Sequence, residues 1–349
     1  MNRLRIAVVG VGSLGQHHAG KLAAFEDVEL VGVVDPAQEQ GQRVATRLQT
    51  TWFPTVQSLP RDLDGVVIAA PTSFHLSTAS FFLEAGVATF VEKPLAASVT
   101  EAQTLWRTAA HHDALLQVGH IERFNPAFDV ARQRCGHPLY IRAQRVSPYT
   151  FRSTDIGVVH DLMIHDIDLA LALTGEMPTS VDAFGAEGIG PHEDMAVARL
   201  KMPSGTIVDL TASRMCPTAE RTMQIWGSTG CLQADLQSRK VTHWQPGQKF
   251  QANPALVHAI AAAAADPRTL KDKVFGEWIQ AEEIQADSAD AMSLELEEFK
   301  AAIRGEYAPQ VGGHEGVNAM IVAQQVLSSL DLWSWQTGSM ARPDQQEAA

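Results

Sequence analysis

Six residues, Gly10-Val11-Gly12-Ser13-Leu14-Gly15, constrain this chain more than any other feature. They follow an apolar run, Leu4–Val9, and open a stretch with helical spacing, His17–Phe25. Three glycines between a strand and a helix permit a tight turn and close helix–strand packing. They also leave backbone N–H groups at the helix start, where the helix dipole favours an anion. Asp35 ends the next apolar run, Leu30–Val34, 20 residues after Gly15. A carboxylate there reaches both hydroxyls of an adenosine ribose and repels a 2′-phosphate, so the pattern points to NAD rather than NADP. No arginine follows Asp35 directly, and Arg43, one helix on, is the residue that could oppose this preference.

The alternation continues along the chain. Short runs recur at Gly65–Ala70, Ala88–Val91 and Leu115–Val118, with amphipathic stretches such as Ser77–Ala85 between them. Unbroken apolar runs mark strands covered on both faces, the pattern of parallel strands with crossover helices. After residue 135 the pattern changes. Tyr140–Val146, Asp194–Met202, Thr206–Met215, Thr222–Trp226 and Cys231–Leu236 alternate polar and apolar residues. Pro203-Ser204-Gly205 and Gly227-Ser228-Thr229-Gly230 supply turns between them. That pattern predicts an antiparallel sheet with one open face. A helix over Val158–Thr174 interrupts it, with Gly175 as its C-terminal cap, and helical spacing returns at Met292–Arg304 and Gly316–Leu330. The stretch 250–289 has no clear period.

A chain of 349 residues exceeds the usual single core. The expected organisation is α/β, with a doubly wound parallel Rossmann domain over 1–122. An α+β domain with a large, mainly antiparallel open sheet is expected over 123–340, for substrate binding and oligomerisation, and a tail over 341–349. The net charge of −13 excludes a general nucleic-acid or anionic-membrane binder. Three cysteines without metal-ligand spacing, and no signal-like run before Leu4, favour the cytoplasm. An open sheet face favours a homodimer or homotetramer.

Candidate chemistry sits at predicted strand ends. Pro71-Thr72-Ser73-Phe74-His75 follows one strand, where Pro71, Thr72 and His75 can line a cofactor and Thr72 or Ser73 can equally cap a helix. Glu92-Lys93-Pro94 ends another. A lysine there faces a ligand and can hydrogen-bond a reacting hydroxyl, although a lysine before proline is commonly a surface loop residue. Asp161 and His165 lie four apart on the Val158–Thr174 helix, with Asp168 one turn on. A carboxylate at that spacing can orient an imidazole acting as general base, and the alternative is a satisfied polar helix face. His160 and His165, five apart, diverge, so no metal is expected. His120, Arg123 and Asn125 follow the Leu115–Val118 strand at the expected domain junction and are candidates for holding substrate. Arg123, Arg142, Arg145 and Arg152 are available to a diphosphate, and a surface salt bridge is the commoner fate of a lone arginine.

These motifs carry a resemblance. Gly10-x-Gly12-x-x-Gly15 followed by His18, Pro71-Thr72-x-x-His75, Glu92-Lys93-Pro94, Asp161-x-x-x-His165 and Glu315-Gly316 occur in the order found in the Gfo/Idh/MocA oxidoreductases. The resemblance implies catalysis by Lys93 and His165 with Asp161 in support, and cofactor contacts from Gly10, Gly12, Ser13, Leu14, Gly15, Asp35, Pro71, Thr72, His75, Glu92 and Lys93. It implies substrate contacts from Lys93, His120, Arg123, Asn125, Asp161 and His165, and a cis Lys93–Pro94 peptide. The segments Gly119–Pro126 and Asp161–Asp168 further resemble members that oxidise UDP-N-acetylglucosamine at its 3-hydroxyl. An NAD-dependent dehydrogenase of a nucleotide sugar is therefore expected. The alternatives are a dehydrogenase of a free polyol such as an inositol, and a non-catalytic NAD-binding regulator.

Overall fold

The computed structural model describes residues 3–151, 156–248, 254–263, 268–334 and 339–341. One sheet contains β1 (Leu4–Val9), β2 (Val28–Val34), β3 (Thr51–Phe53), β4 (Gly65–Ile68), β5 (Ala88–Glu92) and β6 (Leu116–Gly119). The strand order is β3-β2-β1-β4-β5-β6, and every neighbouring pair is parallel. The crossovers include α1 (Gly15–Ala24), α2 (Gln38–Leu48), α3 (His75–Leu83) and α4 (Val99–His111). Strands β4 and β5 are buried throughout and β1 nearly so, which is why they read as unbroken apolar runs. β3 has no such signal, being three residues long and at the sheet edge. The order reverses between β1 and β4, so the turn leaving β1 opens at the switch point where ligands of such sheets bind.

The other sheet has ten strands. They are β7 (Pro138–Val146), β8 (Ser180–Glu187), β9 (Glu193–Lys201), β10 (Ile207–Ser213), β11 (Glu220–Gly227), β12 (Gly230–Asp235), β13 (Lys240–Pro246), β14 (Ile279–Gln285), β15 (Leu330–Ser334) and β16 (Ser339–Ala341). Their order is β14-β13-β12-β11-β7-β10-β9-β8-β15-β16. Pairing is antiparallel except for β7 with β10 and β8 with β15. Alternation sorts the side chains. Ile141, Ala143, Ala198, Leu200, Val208, Leu210, Met223 and Ile225 are buried on one face. That face packs α5 (Pro126–Arg134) on β12 and β13, and α6 (Ile164–Thr174) on β7 and β10. The opposite face carries Arg142, Arg199 and Trp226, as the one-sided pattern predicts.

The predicted helix over Val158–Thr174 begins as a π-helical segment, Val159–Met163, and becomes α-helical only at Ile164. Gly175 ends it in the left-handed conformation. The stretch that lacked a period forms α7 (Pro254–Ala263), α8 (Arg268–Lys273), a π-helical turn at Val274–Trp278 and then β14. Arg152 and residues 342–349 of the expected tail lie outside the described residues. Helices α9 (Ala291–Ile303) and α10 (Gly313–Ser329) follow β14.

Packing divides the chain into two compact units, Met1–Phe124 with Ala289–Gln325, and Asn125–Ser288 with Val326–Ala349. The expected single boundary at 122 is corrected by α9, which belongs with the first unit. Its Leu296 and Phe299 join Ile6, Val8, Leu22, Val67 and Phe90 in one apolar core. Lys300, 2% exposed, donates to Asp27 at 2.8 Å and lies 3.9 Å from the Phe25 ring. Lys300 and Arg304 outweigh the effect of burial and draw the Asp27 carboxyl down to about 2. Such long-range docking has no periodic signature in the sequence.

Candidate active site

The Gly10–Gly15 turn holds its shape by close approach. Gly10 has φ +80°, and a Cβ there would lie 2.6 Å from the Ala70 nitrogen. A Cβ on Gly15 would lie 1.7 Å from the Gly10 carbonyl oxygen. Gly12 differs, because none of the described residues lies within 4 Å of the place its Cβ would take. Gly12, Ser13 and Leu14 are exposed, and the N-terminus of α1 has no side-chain cap and no acidic residue in its first turn. The turn therefore presents an open backbone and a positive helix end. Asp35 closes one side: its Oδ2 accepts from the Val11 N–H at 3.0 Å and its Oδ1 from Ala37 N–H at 2.9 Å. Each carboxylate oxygen retains a lone pair for a ribose hydroxyl. These residues fit the pyrophosphate and adenosine ribose of NAD. Arg43 donates to Gln40, whose amide donates to the Val11 carbonyl.

Pro71 and Thr72 lie at the carboxyl end of β4, partly accessible. The turn Thr72–Phe74 and α3 begin without a side-chain cap, so Thr72 and Ser73 do not cap them. His75 departs from its expected role as a cofactor ligand. It is 1% exposed, with Nδ1 3.0 Å from the Pro94 carbonyl oxygen and Nε2 2.9 Å from that of Ala70. It braces the chain after β5 against the chain after β4. The Lys93–Pro94 peptide is cis. Lys93 is partly exposed, and Glu92 beside it is buried. Glu92 Oε1 meets His18 Nε2 at 2.6 Å, and its Oε2 accepts the Lys93 N–H at 3.2 Å. Burial pushes the Glu92 carboxyl up, but the hydrogen bond and charge of His18, with Lys93, outweigh it and hold the carboxyl below its ordinary range. Glu92 thus acts as a support rather than an exposed cofactor contact.

In the second unit, the π-helical segment carries Asp161 and α6 carries His165. Both are partly exposed, whereas Met163, Ile164, Asp166 and Asp168 between and beyond them are buried. Asp161 and His165 therefore share the accessible side, and Asp168 does not join them. Asp166 takes the Arg145 guanidinium through two bonds, 3.0 Å from Nε and 2.8 Å from Nη2, both residues being buried. Glu193 on β9 accepts the Val159 N–H at 3.1 Å and so caps the π-helical segment, while burial pushes its carboxyl up. Arg142 lies on the open face of β7 beside Tyr140 and Arg199. Strand alternation thus separates Arg142 from Arg145, and the two do not meet one diphosphate.

Sequence comparison decides the family. The description "oxidoreductase family, NAD-binding Rossmann fold" of the Gfo/Idh/MocA proteins matches residues 4–120, and their C-terminal domain matches residues 129–233. The chain is 33% identical over 327 residues to UDP-N-acetylglucosamine 3-dehydrogenase of Acidithiobacillus ferrooxidans, covering 93% of this chain and 97% of that protein. This chain belongs to the Gfo/Idh/MocA family. It is an NAD-binding oxidoreductase. A solved structure of the Acidithiobacillus protein superposes with a TM-score of 0.83 over 95% of this chain and 98% of that one. The scyllo-inositol 2-dehydrogenase (NAD⁺) of Bacillus subtilis is 32% identical over 62% of this chain and 69% of its own.

In this Gfo/Idh/MocA protein the segment after β6 is largely structural. His120 is 1% exposed. Asn125 is corrected from substrate ligand to helix cap, since its Oδ1 accepts the Ala127 N–H at 3.0 Å and its Nδ2 donates to the Leu236 carbonyl at 2.9 Å. Arg123 lies close enough to Glu298 for its charge to oppose the rise that burial imposes on that carboxyl. Reading from the sequence passed over Glu193, and named His18 only as part of a motif, with no role for its side chain. Each acts through a partner 74 or 34 positions away, and a lone His or Glu in an apolar segment gives no local sign of that. Among the described residues no group of three or more His, Cys, Asp or Glu is placed to hold a metal, and no helix is long and apolar enough to cross a membrane.

Proposed function

We propose that this protein oxidises the 3-hydroxyl of UDP-N-acetylglucosamine, or of a closely related nucleotide sugar, to a ketone. The observation that carries the reading is the match to the Acidithiobacillus dehydrogenase at 33% identity along nearly the full length of both chains. Bound NAD supplies the hydride acceptor. The Gly10–Gly15 backbone and Asp35 hold it, with Pro71 and Thr72 alongside. His165 takes the proton of the reacting hydroxyl, and Asp161 keeps the imidazole oriented and offsets its positive charge. Lys93 donates to the same oxygen and steadies charge that develops there.

The 32% identity to scyllo-inositol 2-dehydrogenase supports a second reading, oxidation of a free polyol, over a smaller share of both chains. The two are separated by incubating the protein with NAD and either UDP-N-acetylglucosamine or inositols while following NADH absorbance. Turnover with the nucleotide sugar is the expected result, and turnover with inositol alone overturns the proposal. The open face of the ten-stranded sheet is the surface proposed for pairing two or four copies, and light scattering in solution reads that directly. With Cys135, Cys216 and Cys231 all free, a reducing cytoplasm is the proposed setting.

A further inference from the structure

We propose that His18 is a positioning residue for Lys93, acting through Glu92. The inference rests on the role given to Lys93 above and extends it to a residue that touches neither ligand. His18 projects from α1, the helix that begins at the cofactor turn, and its ring is fully buried. One ring nitrogen, Nε2, meets Glu92 Oε1 at 2.6 Å. The other, Nδ1, is buried without a hydrogen-bond partner among the described residues. The centroid of the Phe90 ring lies 5.4 Å from that of His18, so the imidazole packs against an aromatic side chain of the core. The second carboxylate oxygen accepts the Lys93 backbone N–H at 3.2 Å. Gly119 on β6 makes room, since a Cβ there would lie 3.0 Å from Glu92 Oε2.

A buried carboxylate needs such a donor. Without one, desolvation drives it to take up a proton. His18 opposes that, and the resulting negative charge is near enough to the Lys93 side chain for the two charges to attract, an attraction that supports an ammonium able to donate to a substrate oxygen. Among the described residues, the charges that act on this carboxylate come from His18 of α1 and from Lys93 itself. His75 from α3 faces the Pro94 carbonyl, and His120 follows Gly119 at the end of β6. The pair therefore links the helix that bears the cofactor turn to the charge and placement of the lysine.

The test compares His18→Leu, His18→Gln and Glu92→Gln with the unaltered full-length protein. Two quantities are read: the alkaline limb of the kcat–pH profile, and the pH at which Lys93 becomes half-reactive towards acetic anhydride in NAD-free protein, followed by peptide mass spectrometry. In His18→Leu and Glu92→Gln both move to lower pH by about 1–3 units, the effect of losing an adjacent opposite charge. His18→Gln, whose amide can still donate to Glu92, restores most of the difference. A fall in Tm with both quantities unmoved overturns the proposal. If His18→Leu does not fold, Glu92→Gln carries the test. Should no sugar be oxidised by the unaltered protein, the reading of its substrate fails while the acylation measurement still decides the role of His18.

Discussion

The six-stranded and ten-stranded sheets place chemistry in opposite ways. In the parallel sheet every strand delivers the chain to the same edge. Gly10, Asp35, Pro71 and Glu92-Lys93 all lie at carboxyl ends of strands, and each candidate is a short motif after an apolar run. In the ten-stranded sheet neighbouring strands mostly run opposite ways, so their ends fall on two edges. The candidates there, Asp161 and His165, come from a helical element laid on one face instead. Such an element must be anchored to its sheet, and the buried Arg145–Asp166 pair and the Glu193 cap do this. A site made of strand ends inherits its geometry from the sheet, whereas a site on a packed helix depends on the contacts beneath it.

The strongest test of this contrast is His165→Ala. Loss of a general base should lower kcat by about 10²–10⁴-fold while the NAD dissociation constant, measured by fluorescence titration, changes little. Equal losses in both would mean that His165 supports the fold and does not act as the proton acceptor. Next in size is Arg145→Met, which takes the guanidinium away from the buried Asp166 carboxylate. Urea unfolding should show a loss of about 3–5 kcal/mol, much of it recovered when Asp166→Leu is added. A loss below about 1 kcal/mol would show that α6 does not depend on its anchor.

Gly12→Ala probes the parallel sheet. The added methyl meets none of the described residues, so Tm should stay unchanged while NAD binding weakens tenfold or more, about 1.4 kcal/mol. Gly15→Ala should instead lower Tm, because its Cβ collides with the Gly10 carbonyl. If both variants lose stability alike, the open backbone at Gly12 is not a ligand cradle. The smallest effect concerns Glu298 on α9. Burial pushes its carboxyl up to about 7, against the ordinary 4.5. The folded chain thus binds this proton more tightly than the unfolded one. The stabilisation is complete below about pH 4.5 and is lost as the pH rises through 7. Glu298→Gln should flatten that decline and, by thermal unfolding, gain about 1 kcal/mol at pH 8, solvent screening holding the figure down.

Much of the parallel sheet was legible residue by residue. Leu4–Val9 is a strand with the predicted bounds, and Gly65–Ala70, Ala88–Val91 and Leu115–Val118 shift by no more than two residues at either end. Burial on both faces writes itself into sequence as an unbroken apolar run. In the other sheet the central strands were legible from alternation, but β8, β13, β14, β15 and β16 were not. Ser180–Glu187 breaks its alternation at the adjacent buried Gly185 and Ala186, and Ile279–Gln285 has only exposed and half-buried positions, so the period-two signal is weak. Of the candidate site, the glycine turn, Asp35 and the accessible side shared by Asp161 and His165 were readable. The committed side chains of His75 and Asn125 were not, because their partners are set by packing.

By itself the sequence determined the kinds of element, their order, the glycine turn and the carboxylate that faces it. These rest on local sterics and on periodicity, which act over a few residues. Tertiary structure alone decided that α9 joins the first unit, that Arg145 pairs with Asp166, and that His18 meets Glu92. Those outcomes depend on burial and charge pairing between residues far apart in the chain, where the free energy belongs to the pair and neither partner announces it alone.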